Sequence, residues 1–468
     1  MTPDSKKLHL AYFSPLKPRQ SGIADYSEDL LPYLASLAKV TPIVESCRSG
    51  SLPYPPSAIT TAEFLDTASS FDVPIYQIGS SVQDHGYMMD CLQHVPGIVV
   101  LHDYCLHYLI LALTLLRGDL QSLKSALAVI YGSRASSLAR RLLFGVQDPF
   151  ALSFAGQLVL RSRAVVVHSH YAEQLVRKDF PTKRVQMIPM GVPLDLPKES
   201  RSELKTKYGF RDEHFIVASI NSPAYNKRLS LVLEAVRLVH TQFPQVRLVI
   251  LSGKHFDRGV KTLLEDPALR AIVTSPGWLS ADAYRDFIYM ADVVVDMRYP
   301  SGAETSASIC RAMALGKASV LSAQGSFLDV PDNLCIKIPV GQDEVGRLAG
   351  VLKEVATNRA TAENMGKEAR GYALSNFRLE LVAQRYIDLA EEVIFSNLQA
   401  GSWAITPKPK PFERLLISTT YKTFRTVDFL RTYGFAETSG RVRKELARRS
   451  EARSNGLIRL QSSDDTYH

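Results

Sequence analysis

No apolar run in this 468-residue chain is long enough to cross a bilayer. The most apolar stretch, Leu106 to Leu116, is about half the length a span needs, and it contains His107. The N-terminus, MTPDSKKLHLAYFSP, lacks the apolar core of a signal peptide. Cysteine is scarce: Cys47, Cys91, Cys105, Cys310 and Cys335 are odd in number and scattered, with no CxxC spacing. That pattern speaks against structural zinc and against a disulfide framework, and a reducing cytoplasm is expected. No GxGxxG follows the first apolar run, so a nicotinamide dinucleotide site is not indicated. No internal repeat with a period of about 20–50 residues is visible.

Net charge is also nearly missing from most of the chain. The formal net charge is +8, with 22% charged and 46% apolar residues. From Gly401 onward thirteen basic residues stand against seven acidic ones, so this segment alone holds +6. The body is nearly neutral, which argues against a nucleic-acid-binding core. A chain of this length suits two domains of about 200 residues each.

What is present is an alternation of strand-like apolar runs with helical patterns, the signature of βαβ units. The first series of strands is His9–Phe13, Val40–Val44, Pro74–Ile78, Ile98–Leu101, Ala164–His168 and Gln186–Pro189. Helical patterns lie between them, at Tyr26–Leu37 and in a long block from Leu106 to Arg163. A second series follows at Phe215–Ile220, Arg247–Ser252, Ala271–Thr274, Ala291–Asp296, Ser319–Ser322 and Cys335–Ile338, with a helix at Leu229–Val239. The expected architecture is α/β: two doubly wound units joined near Pro193–Ser202, facing across a cleft at the carboxyl ends of their strands. A last amphipathic helix is expected at about Leu379–Leu398, then a stiff Pro407-Lys408-Pro409-Lys410-Pro411 break and a basic helical tail.

The segment Tyr299–Gly316, YPSGAETSASICRAMALG, follows a strand and opens a helix. Its junction carries one carboxylate, Glu304, and the small residues Thr305, Ser306, Ala307 and Ser308. Free N–H groups at a helix start attract an anion, and small side chains let it approach. A carboxylate just ahead of those donors would repel phosphate, so its use is to hold hydroxyls. Sugar hydroxyls beside a diphosphate describe a nucleotide-sugar; the bland alternative is that Glu304 caps a surface helix.

Four further clusters fall at strand ends. Ser21 and Gly22 open the first helix, where glycine admits a ligand close to the backbone, although a lone Gly is often only a turn. His102 and Asp103, with His107 one turn on and His85 after the preceding strand, suit proton transfer or hydroxyl binding. The histidine spacing is too loose to read as a metal site, and none is expected. Asn226, Lys227 and Arg228 place two cations where a diphosphate would lie. Trp278 and Leu279 either receive a nucleobase or belong to the core.

Taken in order, FSPLKPRQSGIADYSEDLLPYLA, IVVLHDYCLH, VHSHYAEQLV, IPMGV, NKRLSLVLEA and RYPSGAETSASICRAMALGK resemble the family 4 glycosyltransferases of the GT-B fold, over about residues 8–398. The resemblance implies sugar transfer from a nucleotide-sugar with retention at the anomeric carbon. It implies no cofactor and no DxD metal site; Asp292–Asp296, DVVVD, is not DxD. Residues 1–196 would form the acceptor-side domain, 197–378 the donor-side domain, 379–400 a helix crossing back, and 401–468 a basic amphipathic tail. By position, Lys227 matches the phosphate-binding lysine and Glu304 the first glutamate of the E-x7-E motif. Thr305–Ala307 match the donor-facing loop, Ser21 and Gly22 the loop near phosphate and acceptor, and His102 the acceptor-side histidine.

Two departures stand out. Arg311 occupies the place of the second glutamate, which in the family holds the ribose, and the interval is one residue shorter. Ser222 replaces the arginine usually found five residues before Lys227, with Arg228 adjacent as a substitute. Both changes fit a branch of the family with an ETS…R pattern, and both fit decay of activity. Two other readings therefore stand beside the transferase: a catalytically silent binding or scaffold protein, and a nucleotide-sugar epimerase or hydrolase. The expected partners are a nucleotide-sugar and a glycan or lipid-linked acceptor. The tail, through about 411–460, offers peripheral contact with the inner face of a membrane, packing on the body, or pairing of two subunits.

Overall fold

The computed structural model describes residues 7–45, 57–220, 224–251, 256–403 and 406–433. Ser222, Cys47, Ser252 and the tail beyond Tyr433 lie outside the described residues. Contacts divide the chain into two units. One runs to Ile188 and includes Gly302–Glu304 and the chain from Ala383; the other comprises Pro189–Ser301 and Thr305–Val382.

The first unit is built on seven strands: β1 His9–Phe13, β2 Lys39–Val44, β3 Ile59–Thr60, β4 Val73–Ile78, β5 Ile98–Leu101, β6 Ala164–Val167 and β7 Val185–Met187. Their order is β3-β2-β1-β4-β5-β6-β7, and the pairs are parallel, with Leu10 opposite both Val40 and Val73. The second unit has β8 Phe215–Ser219, β9 Val246–Ile250, β10 Val273–Thr274, β11 Val293–Asp296, β12 Ser319–Ser322 and β13 Ile336–Ile338. Their order, β10-β9-β8-β11-β12-β13, is again parallel and reverses beside the first strand of the series. β4, β5, β6, β8, β11 and β12 are buried along their whole length. Burial on both faces is why they read as continuous apolar runs rather than alternating ones.

Helix starts follow their caps. The first helix begins at Gly22, four residues ahead of the expected Tyr26, because the Ser21 hydroxyl accepts from the Ile23 N–H. The expected strand Ala271–Thr274 is shorter, Val273–Thr274. Asp266 caps a helix over Pro267–Ile272 by accepting from Ala268 N–H at 2.9 Å, and that helix takes Ala271. The block from Leu106 to Arg163 resolves into helices at His107–Leu113, Leu120–Tyr131, Ala135–Leu143 and Gly156–Arg161. The late helix is Leu379–Phe395. Beyond Ala383 it is tied to the first unit, where Arg184 grips Glu392 at 2.6 and 2.7 Å and Arg163 donates to Val393 O at 2.7 Å.

Among the described residues no helix is long and apolar enough to cross a membrane. The four described cysteines, Cys91, Cys105, Cys310 and Cys335, are free and buried.

Candidate functional site

In the second unit the carboxyl end of β11 leads into the segment singled out by sequence. Asp296, the last residue of β11, is fully buried and is met by Arg298 through two bonds, Nε to Oδ1 at 2.9 Å and Nη2 to Oδ2 at 2.6 Å. Ser306 completes the group: its hydroxyl donates to Asp296 Oδ2 at 2.8 Å and accepts from Arg298 Nη2 at 2.8 Å. The same hydroxyl caps the Ala307–Ala314 helix. Ser306 is thereby turned inward and buried, and it fixes where the helix begins instead of offering its hydroxyl to a ligand. Thr305 and Ala307 on either side remain half-buried. Ser308 accepts from Tyr284 OH at 2.8 Å, and Arg311 lies further along the helix, half-buried.

The turn after β8 is tied to the same loop. Tyr299 N–H donates to Asn226 O at 2.7 Å, which places Lys227 and Arg228 beside the Tyr299–Ser301 segment. Arg228 holds a left-handed backbone angle, φ 51°, at the start of the Leu229–His240 helix. Its guanidinium pairs with the buried Glu344, whose other oxygen accepts Gly341 N–H at 2.8 Å. Arg228, expected beside a diphosphate, is paired with Glu344 in this structure. Trp278 is 49% exposed and so is not a core residue; it follows Gly277, φ 79°, and precedes the Ser280 cap of the next helix.

Glu304 belongs with the first unit by its contacts. Its Oε2 accepts Gly302 N–H at 2.7 Å, while Gly302 O accepts from Tyr104 and Cys105 N–H at 2.9 and 3.3 Å. Ala303, between them, has φ 62°, a conformation ordinarily left to glycine. The carboxylate thus stiffens a strained turn whose Gly302 carbonyl is bonded to the residues just after the His-Asp pair.

His102 lies inside the first unit rather than on its surface. Its Nε2 bonds Gln77 Oε1 at 2.7 Å, and its ring lies 4.8 Å from His168 and 5.5 Å from Tyr26. Burial, then His168 and His85, push its pKa well below the ordinary value. A ring held neutral can still donate and accept hydrogen bonds. His168 is likewise lowered, to about 4 by burial, with its Nδ1 on Ile188 O at 2.9 Å. Asp103 accepts Ser80 N–H at 3.1 Å and is half-buried. His85 is buried with its pKa lowered to about 4 by desolvation, and a side chain at Gly79 would strike its Nε2. His107, lowered to about 3 by burial, sits between the Tyr108 and Phe150 rings at 4.0 and 4.2 Å. Among the described residues no three metal-ligating side chains gather in one place. At Gly22 an added Cβ would meet nothing within 4 Å, so the helix start there is open.

The sequence reading passed over Asp296, Arg298, Glu344, Gln77 and His168 as site residues. His168 carried a visible signal, since VHSHY ends a strand as LHDY does.

The tail helix, Pro411–Tyr433, packs one face on the first unit. Tyr421 joins its core at 7% exposure, with Ile417 alongside, and Phe424 meets Phe144 edge-on at 5.9 Å. A Cβ at Gly118 would fall 2.1 Å from Arg414 O, so glycine lets the helix approach. The other face leaves Phe412, Leu415 and Leu416 exposed at 75%, 68% and 56%.

Residues 200–372 match the family model of the glycosyl transferases group 1. This part of the chain resembles a group 1 glycosyl transferase domain. No curated protein matches the sequence. The chain resembles the solved sucrose-phosphate synthase from Thermosynechococcus elongatus, at TM-score 0.60 and 16% identity, over 83% of this chain and 100% of that one. It also resembles HepE from Anabaena in complex with UDP-glucose, at TM-score 0.60 and 13% identity, over 82% and 100%. A third likeness is to WaaG, a glycosyltransferase involved in lipopolysaccharide biosynthesis, at TM-score 0.53 and 14% identity, over 82% and 99%. At these identities the likeness is one of fold, and the fold is GT-B.

Proposed function

We propose that this chain is a retaining, metal-independent glycosyltransferase. It moves a sugar from a nucleotide-sugar to a glycan or lipid-linked acceptor in polysaccharide or glycolipid assembly. The observation that carries this reading is the group 1 match over 200–372, the region that contains the capped Ala307–Ala314 helix at the end of β11. Two of the similar structures point the same way, one by its bound UDP-glucose and one by its part in lipopolysaccharide assembly.

In this reading residues 197–378 hold the donor and 1–196 the acceptor, and no cofactor takes part. The diphosphate lies on the N–H groups at Thr305–Ala307, with Lys227 beside it. Arg228 acts through Glu344 by stiffening the turn that presents Lys227. Charge grows on the leaving diphosphate as its bond to the sugar breaks, and each fixed donor aimed there is worth on the order of 10²–10³ in rate. Glu304 holds hydroxyls of the donor sugar, Trp278 and Leu279 lie against the base, and Arg311 stands where a ribose-binding carboxylate would be. Ser21, Gly22, Asp103 and the buried histidines His85, His102 and His107 shape the acceptor side. The exposed face of the tail brings the enzyme to the inner face of an anionic membrane, where a lipid-linked acceptor resides.

The deciding assay supplies GDP-, UDP- and ADP-sugars with and without candidate acceptors. Free nucleoside diphosphate released only when acceptor is present establishes transfer. Donor conversion without acceptor would make the protein an epimerase or hydrolase. Donor binding without turnover across the panel would make it a silent binding protein.

A further inference from the structure

At the opposite end of the second sheet from Asp296 lies a cavity of about 200 Å³. Its walls come from the starts of strands: Phe215 opens β8, Ala291 and Asp292 precede β11, and Ala318 precedes β12. Lys317 enters it from the end of the Ala307–Ala314 helix. Gly316, φ 70°, reverses the chain there, with its N–H on Met313 O and the Lys317 N–H on Ala312 O, both at 2.9 Å. This is the paired-bond ending in which the residue after the glycine is commonly apolar and packs back on the helix. Here it is a lysine, 6% exposed, with its ammonium 4.9 Å from the centre of the Tyr289 ring. Among the described residues no hydrogen bond or ion pair forms at that ammonium.

The other charges around the cavity do not balance. Asp292 is shared by Arg201 at 2.9 Å, Lys205 at 3.8 Å and Arg359 at 3.9 Å, and it also accepts Ile216 N–H at 2.7 Å. The second acid, Glu363, is largely exposed and reaches Arg201 only at 3.9 Å. Lys367 adds a further cation to the lining. Arg201 Nε is buried with no hydrogen-bond partner. The lining thus sets two acids, Asp292 and Glu363, against four cations, Arg201, Lys317, Arg359 and Lys367, and two donors, the Lys317 ammonium and Arg201 Nε, lack an acceptor. A buried donor left unmade is costly, and an oxyanion with several acceptor oxygens would meet both.

We propose that this cavity binds a small phosphate-class dianion, free phosphate or a phosphate monoester, with Lys317 and Arg201 as its inner donors and Arg359 and Lys367 at its rim. The site is separate from the donor site and does not depend on the proposed transfer. Burial, then Arg201, hold the Lys317 pKa down to about 7, while Asp292 and Glu363 oppose this. Burial thus disfavours the proton on this amine, and an arriving dianion favours it.

The test is calorimetric titration of the full chain with inorganic phosphate at pH 8, in two buffers of different ionisation enthalpy. The expected result is binding with net proton uptake, retained in Lys227→Ala, where the donor site is impaired. Lys317→Met should weaken it by at least about tenfold and abolish the uptake, and the exposed Lys367→Ala should weaken it about threefold. Titration with a hexose phosphate tells which member of the class binds more tightly. In the wild-type chain phosphate should also shield Lys317 from an amine-reactive label, read by peptide mass spectrometry, whether or not the Met variant folds. No phosphate binding in Lys227→Ala, wild-type affinity in Lys317→Met, or unshielded labelling of Lys317 overturns the site.

Discussion

Arg298 closes a two-bond fork on Asp296, at 2.9 and 2.6 Å, and both residues are buried. Through Ser306 this pair decides where the Ala307–Ala314 helix begins, and so where its free N–H groups point. Arg298→Met should leave Asp296 buried and unpaired, at a cost on the order of 3–5 kcal/mol. Urea unfolding of the full chain reads this directly. A loss below about 1 kcal/mol would show that the pair does not hold the loop.

Lys227→Ala should lower kcat/KM by at least about tenfold, because a fixed cation near the leaving diphosphate acts mainly in the transition state. Its melting temperature should stay close to that of the wild type. Unchanged kinetics would remove Lys227 from the donor site.

Glu304→Gln retains an oxygen able to accept the Gly302 N–H, now at 2.7 Å, so the turn should persist. What it loses is the charge that strengthens bonds to sugar hydroxyls, each such bond being worth about 1.5–3 kcal/mol. Transfer should fall sharply with the fold intact. Full activity would count against the whole donor-site assignment.

Acid should destabilise the first unit through its buried histidines. His85 and His168 have folded pKa values lowered to about 4, and His107 to about 3. Between the ordinary histidine value and those values the unfolded chain binds more protons than the folded one, so stability falls as pH falls through this window. Each group contributes up to about 1.4 kcal/mol per pH unit. Urea midpoints between pH 7 and pH 4 should decline steeply, and less steeply in His168→Asn. A flat profile would mean that these rings are not buried neutral.

The two faces of the tail helix should separate by substitution. Replacing Phe412, Leu415 and Leu416 by serine removes only exposed side chains, so stability should hold while sedimentation with anionic liposomes at low salt is lost. Tyr421→Ala empties part of the core and should cost about 3 kcal/mol or more. If the triple variant still binds the liposomes, or the wild type ignores them, the membrane role is wrong.

Much of the fold was legible because parallel strands buried on both faces must be apolar throughout. His9–Phe13, Ile98–Leu101 and Ser319–Ser322 coincide with β1, β5 and β12. Boundaries shifted where a cap decided them, as at Ser21 and Asp266. The tail shows the same division. Its mixture of aromatic and basic residues was plain in the sequence, but that Tyr421 is the residue turned inward depends on the surface it meets.

The sequence alone determined the two βα series and the junction of small residues and a carboxylate at 304–308, because hydrophobic period and helix-start chemistry are local. Only the tertiary structure decided which charges are already matched. Arg228 reads as a phosphate ligand in the sequence, where nothing shows that Glu344, 116 residues away, lies against it. Nothing local to Lys317 in the sequence shows that packing encloses it beside Tyr289 with no acceptor. An ionised side chain reads the same in a sequence whether water, a carboxylate or nothing surrounds it. What surrounds it is fixed by residues far along the chain, and that is what sets its charge and its use.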